Sequence, residues 1–194
     1  SWGEVFRDLI QRGVAGVRIV TSDAHEGLKA AQMKFFQGTL WQRCQRHFSV
    51  NARNMVYKRD QKELTADLRS IFDACDLAHA QERIKEVVAK WSVKDEVFAE
   101  WLEENVESTL SCFHFPPSFR PRLRTTNMQE RLNQEQKRRA EVIRVFPNSD
   151  SCLRLMTALV QEQNAAWAEQ TPYLDIQELI VWDQTLAARV PTCS

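Results

Sequence analysis

Residues 16–47 read GVRIVTSDAHEGLKAAQMKFFQGTLWQRCQRH. The apolar run GVRIVT, residues 16–21, predicts a buried strand. A stretch from Glu26 to Phe36 has helical character, and Gly38 ends it. Residues 39–45, TLWQRCQ, predict a second strand. Strand, helix and strand in this order favour two parallel strands joined by a crossover helix. Asp23 falls where the first strand meets its loop, and strand ends of α/β sheets host ligand chemistry. A carboxylate there suits a hard divalent cation. From position alone a helix N-cap is the commoner role, because Asp directly before a helix is common.

On the N-terminal side, Trp2, Val5, Phe6, Leu9 and Ile10 recur at helical spacing, with Gly13 as the stop. After Phe48 the pattern turns helical. Leu64, Leu68, Ile71 and Phe72 share a face, as do Ile84, Val87 and Val88, and then Val97, Phe98, Trp101 and Leu102. HFPPSFRPRLR, residues 114–124, holds three of the six prolines and predicts an extended loop. A helix is expected from about Asn127 to Glu141, then a break from Pro147 to Asp150. A long helix runs from Ser151 to Trp167, with Leu155, Leu159 and Val160 inward. The tail holds an apolar patch from Leu179 to Trp182. The six Trp residues read mostly as core. The chain is expected to be α/β in class yet predominantly helical, in four parts: 1–47, 48–113, 114–170 and 171–194.

The 194 residues carry a formal net charge of zero, which excludes a generic polyanion binder. Charge is uneven, however. From His114 to Arg144 eight basic residues (Arg120, Arg122, Arg124, Arg131, Lys137, Arg138, Arg139 and Arg144) face three Glu. Cysteines at 44, 75, 112, 152 and 193 form no CxxC pair, which fits reduced thiols in a cytoplasmic protein. No apolar run reaches the roughly 18 residues of a membrane span.

Glu130, Asn133 and Lys137 share one helical face, and Glu135 offers a competing carboxylate on another. A solvated face laced with ion pairs explains the same pattern. Cys44-x-x-His47 has zinc-like spacing, but Cys112 and His114 could complete four ligands only at long range. Cys44 therefore reads as a packed thiol, and His47 as a local hydrogen-bonding group or phosphate contact. His25 and Glu26 flank Asp23 as supporting or ordinary first-turn residues.

Asp23, Gly27, Leu28, Thr39, Gln42, Cys44 and His47 stand at spacings that resemble the signature of mutator-type bacterial transposases. Phe35 and Gln37 depart from it, standing where a small residue and Pro or Thr are usual. The block TTNMQERLNQEQKRR, residues 125–139, resembles that family's Thr-Asn-x-x-Glu-x-x-Asn element, and Phe146-Pro147-Asn148 fits the family pattern after that element. The resemblance covers nearly all of residues 1–170. It implies an RNase H-like core of the DDE type with an all-helical insertion, in which three carboxylates hold two divalent ions, Mg²⁺ or Mn²⁺. Asp23 matches the second Asp and Glu130 the Glu, with His25, Cys44, His47, Asn127 and Asn133 supporting. Arg120, Arg122, Arg124, Arg131, Lys137, Arg138 and Arg139 are expected to face DNA. The first Asp is expected upstream of Ser1, which makes this chain the C-terminal part of a longer protein, inactive by itself. Expected partners are inverted-repeat ends, target DNA and further copies of the chain, with no membrane. The alternatives are a non-catalytic remnant that binds DNA or dimerises, and a helical interaction domain. The β-α-β opening counts against the last.

Overall fold

The structure, a computed structural model, describes residues 1–143 and 145–189; Arg144 and Cys193 lie outside them. The described chain is predominantly helical, with one small parallel sheet. It divides into two compact units, Ser1–Thr125 and Thr126–Ser194.

In the first unit, helix α1 (Trp2–Gln11) opens on a capping box between Ser1 and Glu4. Strands β1 (Ile19–Ser22) and β2 (Leu40–Arg43) pair in parallel, in register from Ile19↔Leu40 to Ser22↔Arg43. Helix α2 (Glu26–Phe35) is the crossover. Its Leu28 and Ala31 pack with Phe6 of α1 in a small core beside the sheet. Gly38 turns the chain into β2 at φ 77°, a conformation that favours glycine.

Four helices follow: α3 (Gln45–Met55), α4 (Gln61–Phe72), α5 (Leu77–Ser92) and α6 (Glu96–Val106). Asp76 and Asp95 cap α5 and α6 by accepting from the His79 and Phe98 N–H groups at 2.8 and 3.0 Å. Phe48, Leu64, Leu68, Ile71, Ile84, Val87, Trp91, Phe98 and Leu102 form the main core. Each such side chain gains roughly 1.5–3 kcal/mol from burial. The Trp91 indole N–H is satisfied by Asp67 Oδ2 at 2.8 Å. Val97 departs from the expected inward face: it points to solvent, 73% exposed. Trp91 is buried, whereas Trp2 and Trp167 lie exposed, so the expectation of Trp residues mostly in the core does not hold for these two.

The extended loop expected at 114–124 is largely folded. Two 3-10 turns (Glu107–Thr109 and Ser111–His114) lead to a short helix α7 (Arg120–Leu123). Pro121 sits in its first turn, where a missing N–H costs nothing.

The second unit holds α8 (Asn127–Ile143), α9 (Ser149–Ala168) and α10 (Ile176–Arg189). Asn148 caps α9, its Oδ1 accepting from the Ser151 N–H at 2.8 Å. The helices α8 and α9 bury no residue fully, and Val160, expected inward, lies open.

Candidate active site

The parallel register builds the site. Ser22 pairs with Arg43, so the next residues, Asp23 and Cys44, leave the sheet side by side. The Cys44 N–H donates to the Ser22 carbonyl at 2.8 Å and fixes that exit. Cys44 is fully buried and stands at the N-cap of α3. His47, in the first turn of α3, brings its shielded Nδ1 against Asp23 Oδ1. Ligand atoms of Asp23, Cys44 and His47 all lie within 4.8 Å of one another. The spacing of Cys44 and His47 thus acquires a third member from another element, not from Cys112 or His114.

Asp23 is not the helix cap. His25 holds that position, its Nδ1 accepting from the Leu28 N–H at 3.2 Å. A methyl group at Gly27 would stand 3.1 Å from His25 Cε1, which explains the glycine two residues after the cap. The Asp23 backbone carbonyl is held by the His25 N–H and the Ser22 hydroxyl, both at 2.8 Å. Its carboxylate is left 57% exposed at the strand end, in contact with His47.

The walls behind it are polar and fully engaged. Gln42 is buried, donating to the Thr109 and Arg43 carbonyls at 2.7 and 2.8 Å and accepting from the Cys112 N–H at 2.7 Å. Gln45 adds a bond to the same Thr109 carbonyl at 2.9 Å. The Thr21 hydroxyl donates to the Leu123 carbonyl and the Gln45 N–H to the Arg124 carbonyl, tying the site to the α7 segment. Burial pushes the Cys112 thiol up to about 11 and keeps it protonated.

Sequence reasoning missed Arg43. Its guanidinium is buried over the Phe48 and Trp101 rings, with centroids at 5.0 and 5.9 Å, and donates to Asn105 Oδ1 at 3.0 Å. Burial lowers its pKa, while the charge of Asp23 opposes that shift. The signal was available: Gln42 and Arg43 are polar residues in a strand that heads into a core.

The remaining expected residues fall in both units. His25, Arg120, Arg122 and Arg124 share the first unit with the cluster, whereas Asn127, Glu130, Arg131, Asn133, Lys137, Arg138 and Arg139 belong to α8 of the second. Arg120 donates to the Cys75 carbonyl at 2.7 Å, and Arg124 pairs with Asp73 at 2.8 Å. Glu130 accepts from the Thr126 hydroxyl at 2.9 Å, and Asn133 from Gln129 at 3.1 Å. Lys137 reaches Glu141 at 4.0 Å. Hydrogen bonds from Arg138 and Arg139 hold the Glu135 carboxyl down to about 2. Arg139 also reaches Glu162 on α9 at 3.1 Å.

No helix among the described residues is long and apolar enough to cross a membrane. Residues 1–170 match the profile of the family described as Transposase, Mutator family. The chain is 39% identical over 176 residues to the transposase for insertion sequence element IS406 of Burkholderia multivorans, covering 90% of this chain and 45% of that protein. It is 38% identical over 179 residues to the transposase for ISRM5 of Rhizobium meliloti, covering 92% and 45%. It is 33% identical over 169 residues to the transposase for IS256 in transposon Tn4001 of Staphylococcus aureus, covering 86% and 43%. The chain thus spans less than half the length of these relatives, 43–45%. With a match over residues 1–170 and relatives of this similarity, the chain belongs to the Mutator family of transposases.

Proposed function

We propose that this chain is part of a DNA transposase that cuts and joins DNA strands at transposon ends, with Asp23 and Glu130 as two of its three metal-binding carboxylates. The observation that supports this reading is the placement of Asp23: His25 caps α2, and the Asp23 carboxylate lies 57% exposed at the strand end, against His47. The parallel β-α-β opening is consistent with an RNase H-like core.

Asp23 fits one oxygen ligand of Mg²⁺, an ion that prefers oxygen and retains waters. The sulfur and nitrogen beside it, from Cys44 and His47, are not donors for that ion. The other oxygens fall to Glu130 and to a carboxylate not assigned within residues 1–194. The bound ions would activate water or a 3′-hydroxyl and neutralise charge at the phosphate. His47 Nδ1 lies against Asp23 Oδ1 and orients the carboxylate. Arg120, Arg122, Arg124, Arg131, Lys137, Arg138 and Arg139 supply phosphate contacts, and the active assembly contains more than one copy. Only two metal-binding carboxylates are assigned within this chain, and it is expected not to cleave DNA by itself.

The test uses a full-length protein carrying this region. Asp23→Asn and Glu130→Gln each reduce Mg²⁺-dependent end cleavage to background, while end binding in a gel-shift assay persists. Full cleavage by Glu130→Gln shifts the acid role to Glu135. Full cleavage by Asp23→Asn overturns the reading, as does strand transfer by the isolated chain.

A further inference from the structure

We propose that Asp23, Cys44 and His47 form a site for a thiolate-preferring divalent cation of the zinc class. Two donors come from the start of α3, and the third from the end of β1. Their ligand atoms lie within 4.8 Å of one another. A tetrahedral site with bonds of about 2.0–2.3 Å spaces its donors roughly 3.3–3.8 Å apart, so side-chain rotations suffice to close it.

The exposure of the three donors differs, and the difference has chemical meaning. Cys44 is fully buried and His47 Nδ1 is shielded, while the Asp23 carboxylate is open to solvent. A bound cation would therefore keep a free coordination position on the solvent side, the pattern of an exchangeable site rather than a closed structural one. Binding displaces the thiol proton to solvent and uses the His47 Nδ1 lone pair, with the ring proton on Nε2. Arg43 opposes a cation here, but the thiolate and the Asp23 carboxylate are two anions against its one positive charge.

The consequence rests on the proposed catalytic reading of Asp23. A zinc-class ion would take the carboxylate that Mg²⁺ needs, so zinc would hold the enzyme off while bound. Sulfur and imidazole ligands give it the advantage over Mg²⁺ at this position.

Cobalt(II) is the probe, titrated into the reduced 194-residue chain without DNA. One equivalent should produce a thiolate-to-cobalt charge-transfer band in the near ultraviolet, displaced by stoichiometric Zn²⁺ and unaffected by excess Mg²⁺. Cys44→Ser should abolish the band. Asp23→Asn, at an exposed position that leaves the fold intact, should weaken cobalt affinity at least about tenfold. Cys75 is the rival thiol, 3.3 Å from His79 Nδ1, and Cys75→Ser should change nothing. The proposal is overturned by absence of the band, by unchanged affinity in Asp23→Asn, or by loss of the band in Cys75→Ser. Because this assay contains no DNA, its failure leaves the catalytic reading standing. Conversely, a cobalt-binding chain whose full-length Asp23→Asn variant cleaves normally retains the metal site and loses the transposase assignment of Asp23.

Discussion

Phe48, Leu64, Ile71 and Leu102 of the first unit are completely withdrawn from water, whereas no described residue of Thr126–Ser194 is. The helices of the first unit close around one apolar core, with Trp91 and Phe98 in edge-to-face contact at 5.0 Å. Those of the second are stabilised by local devices: the Asn148 cap, the Glu135 fork to Arg138 and Arg139, and the Arg139–Glu162 pair. This contrast identifies where the candidate chemistry can be held rigidly. Asp23, Cys44 and His47 are anchored to a packed core, while Glu130 rides on a helix with no buried residue. Cores fix side chains by close packing, and exposed ion pairs do not.

Breaking the first core should have the strongest consequence. Leu68→Ala should cost about 2–5 kcal/mol in denaturant unfolding of this chain. Leu155→Ala, on partly exposed α9, should cost about 1 kcal/mol or less. Comparable losses at both sites would erase the contrast. A second large effect is expected at Gln42. Gln42→Leu strands the Cys112 N–H, while the Thr109 carbonyl keeps its bond from Gln45, so roughly 1–3 kcal/mol should be lost, together with protection of the Cys112 amide from hydrogen exchange. A cost near zero would mean that water replaces the amide.

In the second unit, Asn148→Ala should remove about 1 kcal/mol from α9, read as faster amide exchange at its N-terminal turn. Unchanged protection there would show that α9 is held by more than its cap. Acid dependence should be weaker still. Hydrogen bonds from Arg138 and Arg139 hold Glu135 down to about 2, below its usual carboxylate range near ~4.3. A depressed carboxylate stabilises the folded form above its unfolded pKa, and this contribution fades as pH falls through about 2. Glu135→Gln should therefore flatten the loss of helicity between pH ~4.3 and ~2, with high salt shrinking the difference. An identical acid profile in wild type and variant would assign the helix pairs no weight.

Much of the fold is legible from pattern. The apolar run before Asp23, the helix after His25 and the second run before Cys44 point to a parallel β-α-β unit, and the periodic leucines mark α4. Residues 114–124 depart from expectation because proline density signals extension, although a helix accepts Pro in its first turn, as at Pro121. The inward placement of Val97 and Val160 fails for another reason. Periodicity defines a face, but the neighbour that covers it comes from elsewhere in the chain.

Local spacing is enough to put Asp23 at a strand end, but the pattern extends the second strand to Gln45, whereas β2 ends at Arg43 and Cys44 and His47 stand at the start of α3. It leaves open whether Asp23 caps α2, because Asp and His can each supply the accepting atom. The folded chain assigns the cap to His25, seats Arg43 in the core beside the site, and joins Asp23 to Cys44 and His47. That last step depends on Ser22 pairing with Arg43 across the sheet. Register is a long-range property, fixed by which side chains the whole core can bury, and a slip of one residue would turn these side chains to the opposite face.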